Sequence, residues 1–463
     1  MLITSKLLRF CRRQIHTIVS RDIIKPSSPT PSHSKTYNLA FTDQLAVNAF
    51  IPVIVLYPSS SVYQSSHDKT LELKNSLSQT LTSFYPFAGR MKYTNPTFVD
   101  CNDEGVVFIE ASNTSSLSNF LQQREYKDLD QLFPDDLICF KSNHKYDEKS
   151  SICPLAVQVS HFACGGVAVA ISLSHKICDA SSTLNFLKHW AAVNHKDTTS
   201  SSIVNPNFIS HEHKTCKALP SNRYPLVGDH VTQTFVFSNA KLNDLKAKVT
   251  TMTIDSKQPI TNPTRLEVLT WLIFKCKLAA SKKTKSLAFK NNIFLSSLNL
   301  RDKLKEKLPE TTIGNLVGYV VLPISNNHDG DVVPDEFINE LRRTKLKVKN
   351  LRNLEAFFDR MKSEVDYSEG VKSYYLFSSI CGFPLYTIDF GWGKPIKATI
   401  YCGTSRNFTL LLDTPDGNGK ALKLLPKTIE LGSLKSQRPS YPMESICLKQ
   451  GDKNKEEAQK LDK

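Results

Sequence analysis

The sequence predicts an α/β (α+β mixed-sheet) fold in which each half of the chain combines β-sheet with helices. In both halves, apolar runs of strand length alternate with segments that have helical periodicity. Between the halves, residues 196–230 are rich in Ser, Thr, Asn, Pro and Lys and have little periodicity, which is typical of a linker. With 463 residues, of which 40% are hydrophobic, the chain is long enough for two or three domains.

The first 22 residues are predicted to form an extension that precedes the fold. They contain five basic residues and no acidic residue before Asp22, a composition that resembles an organellar presequence. An N-terminal extension of a cytoplasmic protein is the expected interpretation, and import into a mitochondrion or plastid is the alternative. Residues 25–31, KPSSPTP, contain too much proline for regular structure.

The N-terminal domain, predicted at residues 23–195, contains an apolar run at 50–57 that indicates a buried strand. Pro52 within this run indicates either an edge strand or the start of a strand. Apolar residues from Leu73 to Phe84 recur at helical spacing, and this helix must end before Pro86. Residues 98–101 and 106–111, joined by a short turn, predict a hairpin.

A second predicted hairpin lies in the middle of the chain. Two apolar, β-branched runs, 155–162 and 167–173, flank the turn sequence ACGG. Ser181 or Ser182 can cap the helix that follows, because apolar residues then recur at helical spacing. His175 therefore lies where a buried strand passes into a helix, and Asp179 follows it by four residues.

The C-terminal domain is predicted at residues 231–448. Its elements are a strand at 232–237, a helix around Leu242 and Leu245, a long helix opened by a capping box at Thr264–Glu267, a strand at 293–301, a helix from Pro334, and strands at 397–402 and 408–413. A glycine-rich turn at 416–419 follows the last strand. Residues 449–463 are charged and nearly free of large apolar side chains, so we expect a disordered tail.

Composition excludes several classes of function. The net charge is +15, but Lys and Arg are scattered and not interleaved with aromatic residues, so no nucleic-acid partner is expected. The eleven cysteines form no Cys-x-x-Cys pairs, which argues against a disulfide framework and against structural zinc. No apolar run is long enough to cross a bilayer, so no membrane span is expected.

His175 has the chemistry of a general base. A neutral imidazole has an ordinary pKa of about 6.5 and can take a proton from a hydroxyl group at physiological pH. Asp179 could orient the ring if both residues lay on one helix. If the helix begins after His175, Asp179 points elsewhere and holds the turn by pairing with a cation. No third ligand stands at a spacing typical of metal sites, so no metal is predicted.

A second stretch that could form part of a functional site is DFGWGKP, residues 389–395. Its residues alone indicate a loop of two glycines, an aromatic pair and one carboxylate. A kinase magnesium loop is excluded, because the other kinase sequences are missing. The sequence also lacks Gly-x-Ser-x-Gly, a Walker loop and a dinucleotide fingerprint, which argues against serine hydrolases, nucleotide hydrolases and nicotinamide enzymes.

Together, SHKICDA (174–180) and DFGWGKP resemble the paired signatures of the BAHD acyltransferases, plant enzymes that transfer an acyl group from coenzyme A. Four shorter segments match in the family's order: FYPFAGR (84–90), the FACGG turn (162–166), LNLR (298–301) and Gly314-Asn315. The resemblance covers about residues 22–425. It is greatest to the vinorine-synthase-like branch, which largely acetylates alcohols of alkaloids, terpenoids and related metabolites.

The resemblance implies two chloramphenicol-acetyltransferase-like domains with a channel between them and His175 at its middle. It implies that Asp179 turns away from the channel and pairs with Arg301. Asp389 is grouped with His175 as a catalytic residue in such enzymes, although its role, like that of Gly391, Trp392 and Gly393, is chiefly to support the site. The implied co-substrate is acetyl-CoA, with no bound cofactor and with a small-molecule alcohol as acceptor of the acyl group. A monomer is expected.

One departure from the family leaves an alternative open. Relatives often have Ser-Trp-Cys-Arg where this chain has Ser379-Ile380-Cys381-Gly382, which changes the expected acceptor pocket. The alternative function is therefore a catalytically silent relative that binds a ligand or regulates. A condensation domain of a peptide assembly line is a third possibility, but those domains carry a double histidine, whereas Ser174 precedes His175 here.

Overall fold

The structure, a computed structural model, describes residues 16–59, 65–93, 96–123, 126–134, 150–196, 205–209, 233–283, 291–325, 332–357, 373–400, 408–417 and 419–424. The strands are β1 (His16–Ile24), β2 (Thr36–Asn38), β3 (Phe50–Tyr57), β4 (Met91–Lys92), β5 (Phe98–Asp100), β6 (Val106–Asn113), β7 (Ser151–Ile152), β8 (Leu155–Phe162), β9 (Val167–Ser174), β10 (Asn207–Phe208), β11 (Gln233–Ser238), β12 (Asn291–Asn299), β13 (Thr312–Ile313), β14 (Val317–Ser325), β15 (Ser373–Ser379), β16 (Lys397–Ile400), β17 (Phe408–Asp413) and β18 (Gly419–Leu424). The α-helices are α1 (Phe41–Leu45), α2 (Ser66–Ser83), α3 (Leu117–Gln123), α4 (Ala180–His195), α5 (Asn239–Met252), α6 (Arg265–Lys283) and α7 (Pro334–Lys349).

The first half is built on a mixed six-stranded sheet in the order β1-β6-β8-β9-β3-β16. Every residue of β8 and β9 is buried, as expected of apolar strands that are covered on both faces. The predicted hairpin between them is confirmed: the strands pair antiparallel, and the φ angle of Gly165 in the turn is +83°. Helices α2 and α4 pack on one face of the sheet, and α3 covers part of the other.

The first strand starts earlier in the chain than the sequence predicts. β1 pairs with β6, so residues 16–22 of the predicted extension belong to the sheet. Alternate side chains of β1 turn towards the helix layer, where Asp22 accepts a hydrogen bond of 2.8 Å from Lys74 of α2. Half-buried and exposed residues thus alternate along β1, as expected of an edge strand with one face towards the helix layer.

The second half contains another six-stranded sheet, in the order β11-β18-β17-β15-β12-β14. Helices α5, α6 and α7 pack on one of its faces. The predicted capping box of α6 is confirmed, because Thr264 and Glu267 each accept a hydrogen bond from the backbone N–H of the other. Each half therefore combines sheet and helix as the sequence predicts.

The hairpin predicted at 98–111 is wrong. β5 pairs with β2, whereas β6 lies between β1 and β8 in the main sheet. The connecting loop is held by Asp103, which accepts hydrogen bonds from Thr30 and Lys35. Asp103 and Gly105 have φ angles of +59° and +93°, and these left-handed residues turn the chain from one sheet into the other.

Pro52 does not mark a sheet edge, because β3 lies between β9 and β16. Within the described residues, β16 pairs with Val53 to Leu56. Pro52 is the third residue of β3, so it lies near the start of the strand, the second of the two predicted positions.

The two halves share a sheet and a core. β16 comes from the predicted C-terminal domain but pairs with β3 of the first sheet. Ile380, Leu410 and Leu412 of the second half are buried in the same hydrophobic cluster as β3, β9, α2 and α4. Of the predicted linker, residues 205–209 are described and include β10, which pairs with β13. The predicted tail at 449–463 lies outside the described residues.

None of the described helices combines the length and the apolar character that a bilayer-spanning helix needs.

Candidate active site

His175 lies directly after β9, at the edge of the buried sheet. Its backbone N–H donates a hydrogen bond of 2.7 Å to the carbonyl oxygen of Ala49, which precedes β3. Strands β3 and β9 pair along their full length, so this bond extends a continuous ladder. The backbone of His175 is therefore fixed by the first half of the chain, and its ring is only partly exposed.

The ring of His175 is held by the second half. Its Nδ1 lies 2.9 Å from Oδ1 of Asn315, which stands between β13 and β14. Nδ2 of the same amide donates to the carbonyl oxygen of His175 at 2.7 Å and to Oδ1 of Asp43 at 2.9 Å. Asn315 thus forms hydrogen bonds with both the ring and the backbone of the histidine.

These contacts determine where the imidazole proton lies. Both groups next to Nδ2 of Asn315 are oxygen acceptors, so this atom of the amide must be the nitrogen. Oδ1 then faces the ring, and Nδ1 of His175 must donate to it. The neutral histidine consequently carries its proton on Nδ1 and leaves Nε2 as the basic nitrogen. Among the described residues, Nε2 has no hydrogen-bond partner.

Burial shifts the pKa values of both ionisable groups that contact Asn315, His175 and Asp43. It lowers the pKa of His175 below its ordinary value, against the opposing effects of a hydrogen bond to the residue's own backbone, of the charge of Asp179 and of the hydrogen bond to Asn315. Burial also raises the pKa of Asp43 to about 6, although hydrogen bonds from Asn315 and Ala40 oppose the change. The histidine is therefore kept neutral, which is the state that a base needs.

Asp179 turns away from His175. It is the N-cap residue of α4, where its Oδ1 accepts a hydrogen bond of 2.8 Å from the backbone N–H of Ser182. The prediction that Ser181 or Ser182 is the cap is wrong, because the helix begins at Ala180, one residue after Asp179. His175 and Asp179 thus do not share a helix.

The partner of Asp179 is Arg301, two residues after the end of β12. The guanidinium group donates 2.8 Å and 3.1 Å hydrogen bonds to the two carboxylate oxygens. It also donates to the carbonyl oxygen of Thr312 and to the hydroxyl of Ser182, which in turn donates to the carbonyl oxygen of Gly314. Although burial alone would raise it, the charge and hydrogen bonds of Arg301 hold the pKa of Asp179 below its ordinary value. This network fixes the loop that carries Asn315.

Asp389 organises the DFGWG loop. Its Oδ1 accepts hydrogen bonds of 2.7, 3.0 and 2.9 Å from the backbone N–H groups of Gly391, Trp392 and Gly393. Both glycines have left-handed φ angles, +96° and +85°, that other residues rarely adopt. One carboxylate oxygen thus accepts hydrogen bonds from three consecutive backbone N–H groups, which would otherwise lack a partner.

The DFGWG loop packs far from His175. Trp392 lies edge-on to Tyr57, with ring centroids 5.4 Å apart, and Tyr57 donates to the carbonyl oxygen of Ile388. Tyr57 is the last residue of β3, whereas Phe50, the first, pairs with Ser174 beside the histidine. Seven strand residues separate these positions by roughly 23 Å. Asp389, predicted as a catalytic residue together with His175, is therefore not in contact with it.

Local structure explains two residues that depart from the family's sequence, Ile380 and Gly382. Ile380 is only 3% exposed and lies in the core that the halves share. Gly382 has a φ angle of +84°, and its backbone N–H donates to the carboxylate of Asp413. A Cβ atom at Gly382 would meet nothing within 4 Å, so the backbone conformation, rather than crowding, favours glycine there.

Sequence reasoning assigned no role to Asp43 or Asn315. In the sequence, Asn315 stands out only as part of the dipeptide Gly314-Asn315, and Asp43 lies on a short helix that the pattern does not predict. The two residues are 272 positions apart in the chain, yet their side chains are 2.9 Å apart. The local signal is a single carboxylate among apolar and uncharged polar residues, and one such residue does not identify a role.

Known proteins resemble this chain over most of its length. Limonoid 7-O-acetyltransferase of Citrus sinensis is 32% identical over 446 residues, which cover 87% of this chain and 92% of that protein. Stemmadenine O-acetyltransferase of Catharanthus roseus is 31% identical over 406 residues, 87% of this chain and 92% of that protein. Both are therefore similar in sequence across both halves.

Solved structures show the same architecture. The crystal structure of vinorine synthase has a TM-score of 0.75 and 32% identity, and the match covers 90% of this chain and 96% of that chain. TRI101 of F. graminearum, solved with coenzyme A and T-2 mycotoxin, has a TM-score of 0.64 at 13% identity over 87% of this chain and 97% of that chain, a likeness of fold alone. The fold is that of the two-domain, chloramphenicol-acetyltransferase-like acyltransferases.

The family described as "Transferase family" matches this sequence from residue 15 to residue 435. This range contains His175, Asp179, Arg301 and the DFGWG loop. The chain therefore belongs to this family, the BAHD acyltransferases, whose co-substrate is an acyl-CoA.

Proposed function

We propose that the protein transfers an acetyl group from acetyl-CoA to a hydroxyl group of a plant specialised metabolite, with His175 as the general base. The observation that carries the proposal is the orientation of the His175 ring. Its Nδ1 donates to Asn315 at 2.9 Å, so Nε2 keeps the lone pair that can accept a proton. The names of the relatives favour acetyl as the acyl group and an alkaloid or terpenoid alcohol as the acceptor.

The proposed reaction is a direct transfer between two bound substrates. Nε2 of His175 removes the proton of the acceptor hydroxyl while the hydroxyl oxygen attacks the carbonyl carbon of the acetyl-CoA thioester. The tetrahedral intermediate collapses as the carbon–sulfur bond breaks, and the thiolate of CoA takes the proton from Nε2. The products are the ester and free CoA, and no acyl-enzyme forms.

Asp179, Arg301 and Asp389 support this reaction without touching the reacting atoms. The carboxylate of Asp179 is used by Arg301, Ser182 and the backbone N–H of Leu316, so it has no oxygen directed at His175. Asp389 holds a loop that packs on the far ends of β3 and α4. Both residues would then act by maintaining the fold that positions the base.

The test compares wild-type protein with His175→Ala on acetyl-CoA and a panel of alkaloid and terpenoid alcohols. CoA release and the mass of the ester are both measured. We expect the wild-type protein to form ester and the variant to lose nearly all turnover while it keeps its thermal unfolding midpoint. His33→Ala, at an exposed histidine, is the control and should keep full activity. Ester formation by His175→Ala at the wild-type rate would overturn the proposed base.

The alternative, a catalytically silent protein that binds a ligand, predicts a different result. In that case the wild-type protein would bind acetyl-CoA or an alcohol but release no CoA above background with any acceptor. The intact orientation of His175 favours an active enzyme.

A further inference from the structure

The carboxylate of Asp43 lies behind the residue that orients His175. Its Oδ1 accepts two hydrogen bonds from Asn315, one from the backbone N–H at 2.8 Å and one from Nδ2 at 2.9 Å. Its Oδ2 accepts from the backbone N–H of Ala40 at 3.0 Å, in the first turn of α1. The side chain is completely buried. Asp43 thus joins the first half of the chain to the loop of the second half that holds the base.

We propose that Asp43 is a positioning residue: it fixes the orientation of the Asn315 amide and thereby keeps the proton of His175 on Nδ1. The inference rests on the proposed function, because a basic Nε2 is needed only if His175 acts as the base in acetyl transfer. The residue acts through Asn315 and does not touch the substrate.

The physical reason is the mismatch that a flipped amide would create. If Asn315 turned its amide by half a rotation, Oδ1 would face Oδ1 of Asp43 and the carbonyl oxygen of His175, and neither oxygen carries a hydrogen. Nδ2 would then face Nδ1 of His175 and could only donate to it. The imidazole proton would move to Nε2, and the nitrogen next to the substrate would no longer be basic.

Two acceptors therefore hold the amide in the productive orientation, and only one of them is a charged group. Hydrogen bonds to ionised acceptors are about twice as strong as those between neutral groups. Without Asp43, only the carbonyl oxygen of His175 would oppose the flip. Asp43 would thus supply the larger part of the preference for the productive tautomer.

The charge of Asp43 also affects a nearby cation, Lys176. Lys176, the residue after the base, is buried and donates a hydrogen bond of 2.9 Å to the carbonyl oxygen of Gln44. Burial lowers the pKa of Lys176 to about 8, and the charge of Asp43 partly opposes this change. The test is therefore run at a constant pH of about 7, below the pKa of Lys176 and above that of Asp43.

The decisive experiment is a double-mutant cycle on kcat with Asp43→Ala and Asn315→Ala. If Asp43 acts through Asn315, the double variant should be no slower than Asn315→Ala alone, for which we expect a loss of about 10- to 100-fold. Asp43→Ala alone should lower kcat by about 10-fold and leave KM for acetyl-CoA nearly unchanged. Losses that multiply in the double variant would overturn the inference. Asp43→Leu, which fills about the same space and offers no acceptor to Asn315, replaces Asp43→Ala in the cycle if that variant does not fold.

A spectroscopic measurement tests the tautomer without reference to activity. Nitrogen-15 NMR of histidine-labelled protein distinguishes a protonated ring nitrogen from a basic one, and the signals of His175 are those that His175→Gln removes. We expect Nε2 to be basic in the wild-type protein and the Nε2-protonated form to grow in Asp43→Ala. An unchanged His175 spectrum in both Asp43 variants would overturn the inference even if activity falls.

The chain offers a matched control in Glu267. Like Asp43, it is a buried carboxylate three residues after the N-cap of a helix, and it accepts a hydrogen bond of 2.8 Å from the N-cap backbone of α6. Glu267→Ala should lower stability but leave kcat and the His175 signals unchanged. The failure of the proposed function is distinguishable, because it would appear as activity in His175→Ala or as no transfer by the wild-type protein.

Discussion

Asp179 and Arg301 form a two-pronged ion pair that joins the start of α4 to the end of β12, with nitrogen to oxygen distances of 2.8 Å and 3.1 Å. Their side chains are only 1% and 3% exposed. The pair connects the two halves of the chain beside the loop that carries Asn315. Its contribution is therefore to hold the histidine and its amide partner in one rigid frame.

We expect Asp179→Ala to lower the free energy of unfolding by about 3–5 kcal/mol, because it leaves the charge of Arg301 buried without a partner. Denaturant unfolding measures the change. Glu340→Gln, which removes an exposed ion pair with Arg343 on α7, is the control and should cost less than about 0.5 kcal/mol. A stable and fully active Asp179→Ala protein would contradict the structural role of the pair.

The pH dependence of kcat/KM should have an acid limb that lies below the ordinary histidine pKa of about 6.5. Burial lowers the pKa of His175, and the base must be neutral, so activity is retained as the pH falls until the lowered pKa is reached. Protonation of Asp43, whose pKa is raised to about 6, would act in the same direction because it removes acceptors from Asn315. Rates measured with an acceptor that does not ionise test this, and a limb centred above 6.5 would contradict it.

Asp389→Ala should act on stability rather than directly on the chemical step. It removes the acceptor of three backbone N–H groups, for which we expect a loss of about 1–3 kcal/mol. Asp389→Asn retains one carbonyl oxygen at this place and should lose less. Thermal unfolding and kcat per folded molecule are measured together. A variant with the wild-type unfolding midpoint but no turnover would show that Asp389 acts on the site itself.

Shortening the N-terminus should have a sharp limit at His16. A protein that begins at residue 16 keeps β1 and should keep the wild-type unfolding midpoint, whereas one that begins at residue 25 loses β1 and the bond between Asp22 and Lys74. We expect the second protein to be less stable and less soluble, because the edge of β6 becomes exposed. Equal midpoints for the two proteins would contradict this. If the N-terminus is processed on import, cleavage must therefore precede residue 16.

The elements with long, uniform patterns were predictable from sequence. β8, β9 and α4 carry continuous apolar signals, and the capping box of α6 is a local motif of four residues. Errors arose where a polar side chain with a distant partner decides the structure. Asp103 ties its loop to Thr30, which prevents the predicted hairpin, and neither residue signals this contact locally.

The site was predictable only in part for the same reason. His175 was identified from its position after a buried strand together with the family's signatures. The residues that determine its protonation, Asn315 and Asp43, come from opposite halves and meet only in the folded chain. Such a partnership has no spacing that a single sequence could reveal.

The placement of β16 has a consequence for synthesis on the ribosome. The outer edge of β3 is completed by residues 397–400, about 200 residues after the last helix of the first half. At 5–20 residues per second, that edge stays open for roughly 10–40 seconds after α4 has emerged. During this interval the nascent first half exposes an apolar strand edge, so its yield in cells should depend on chaperone capacity and on the rate at which the second half is translated.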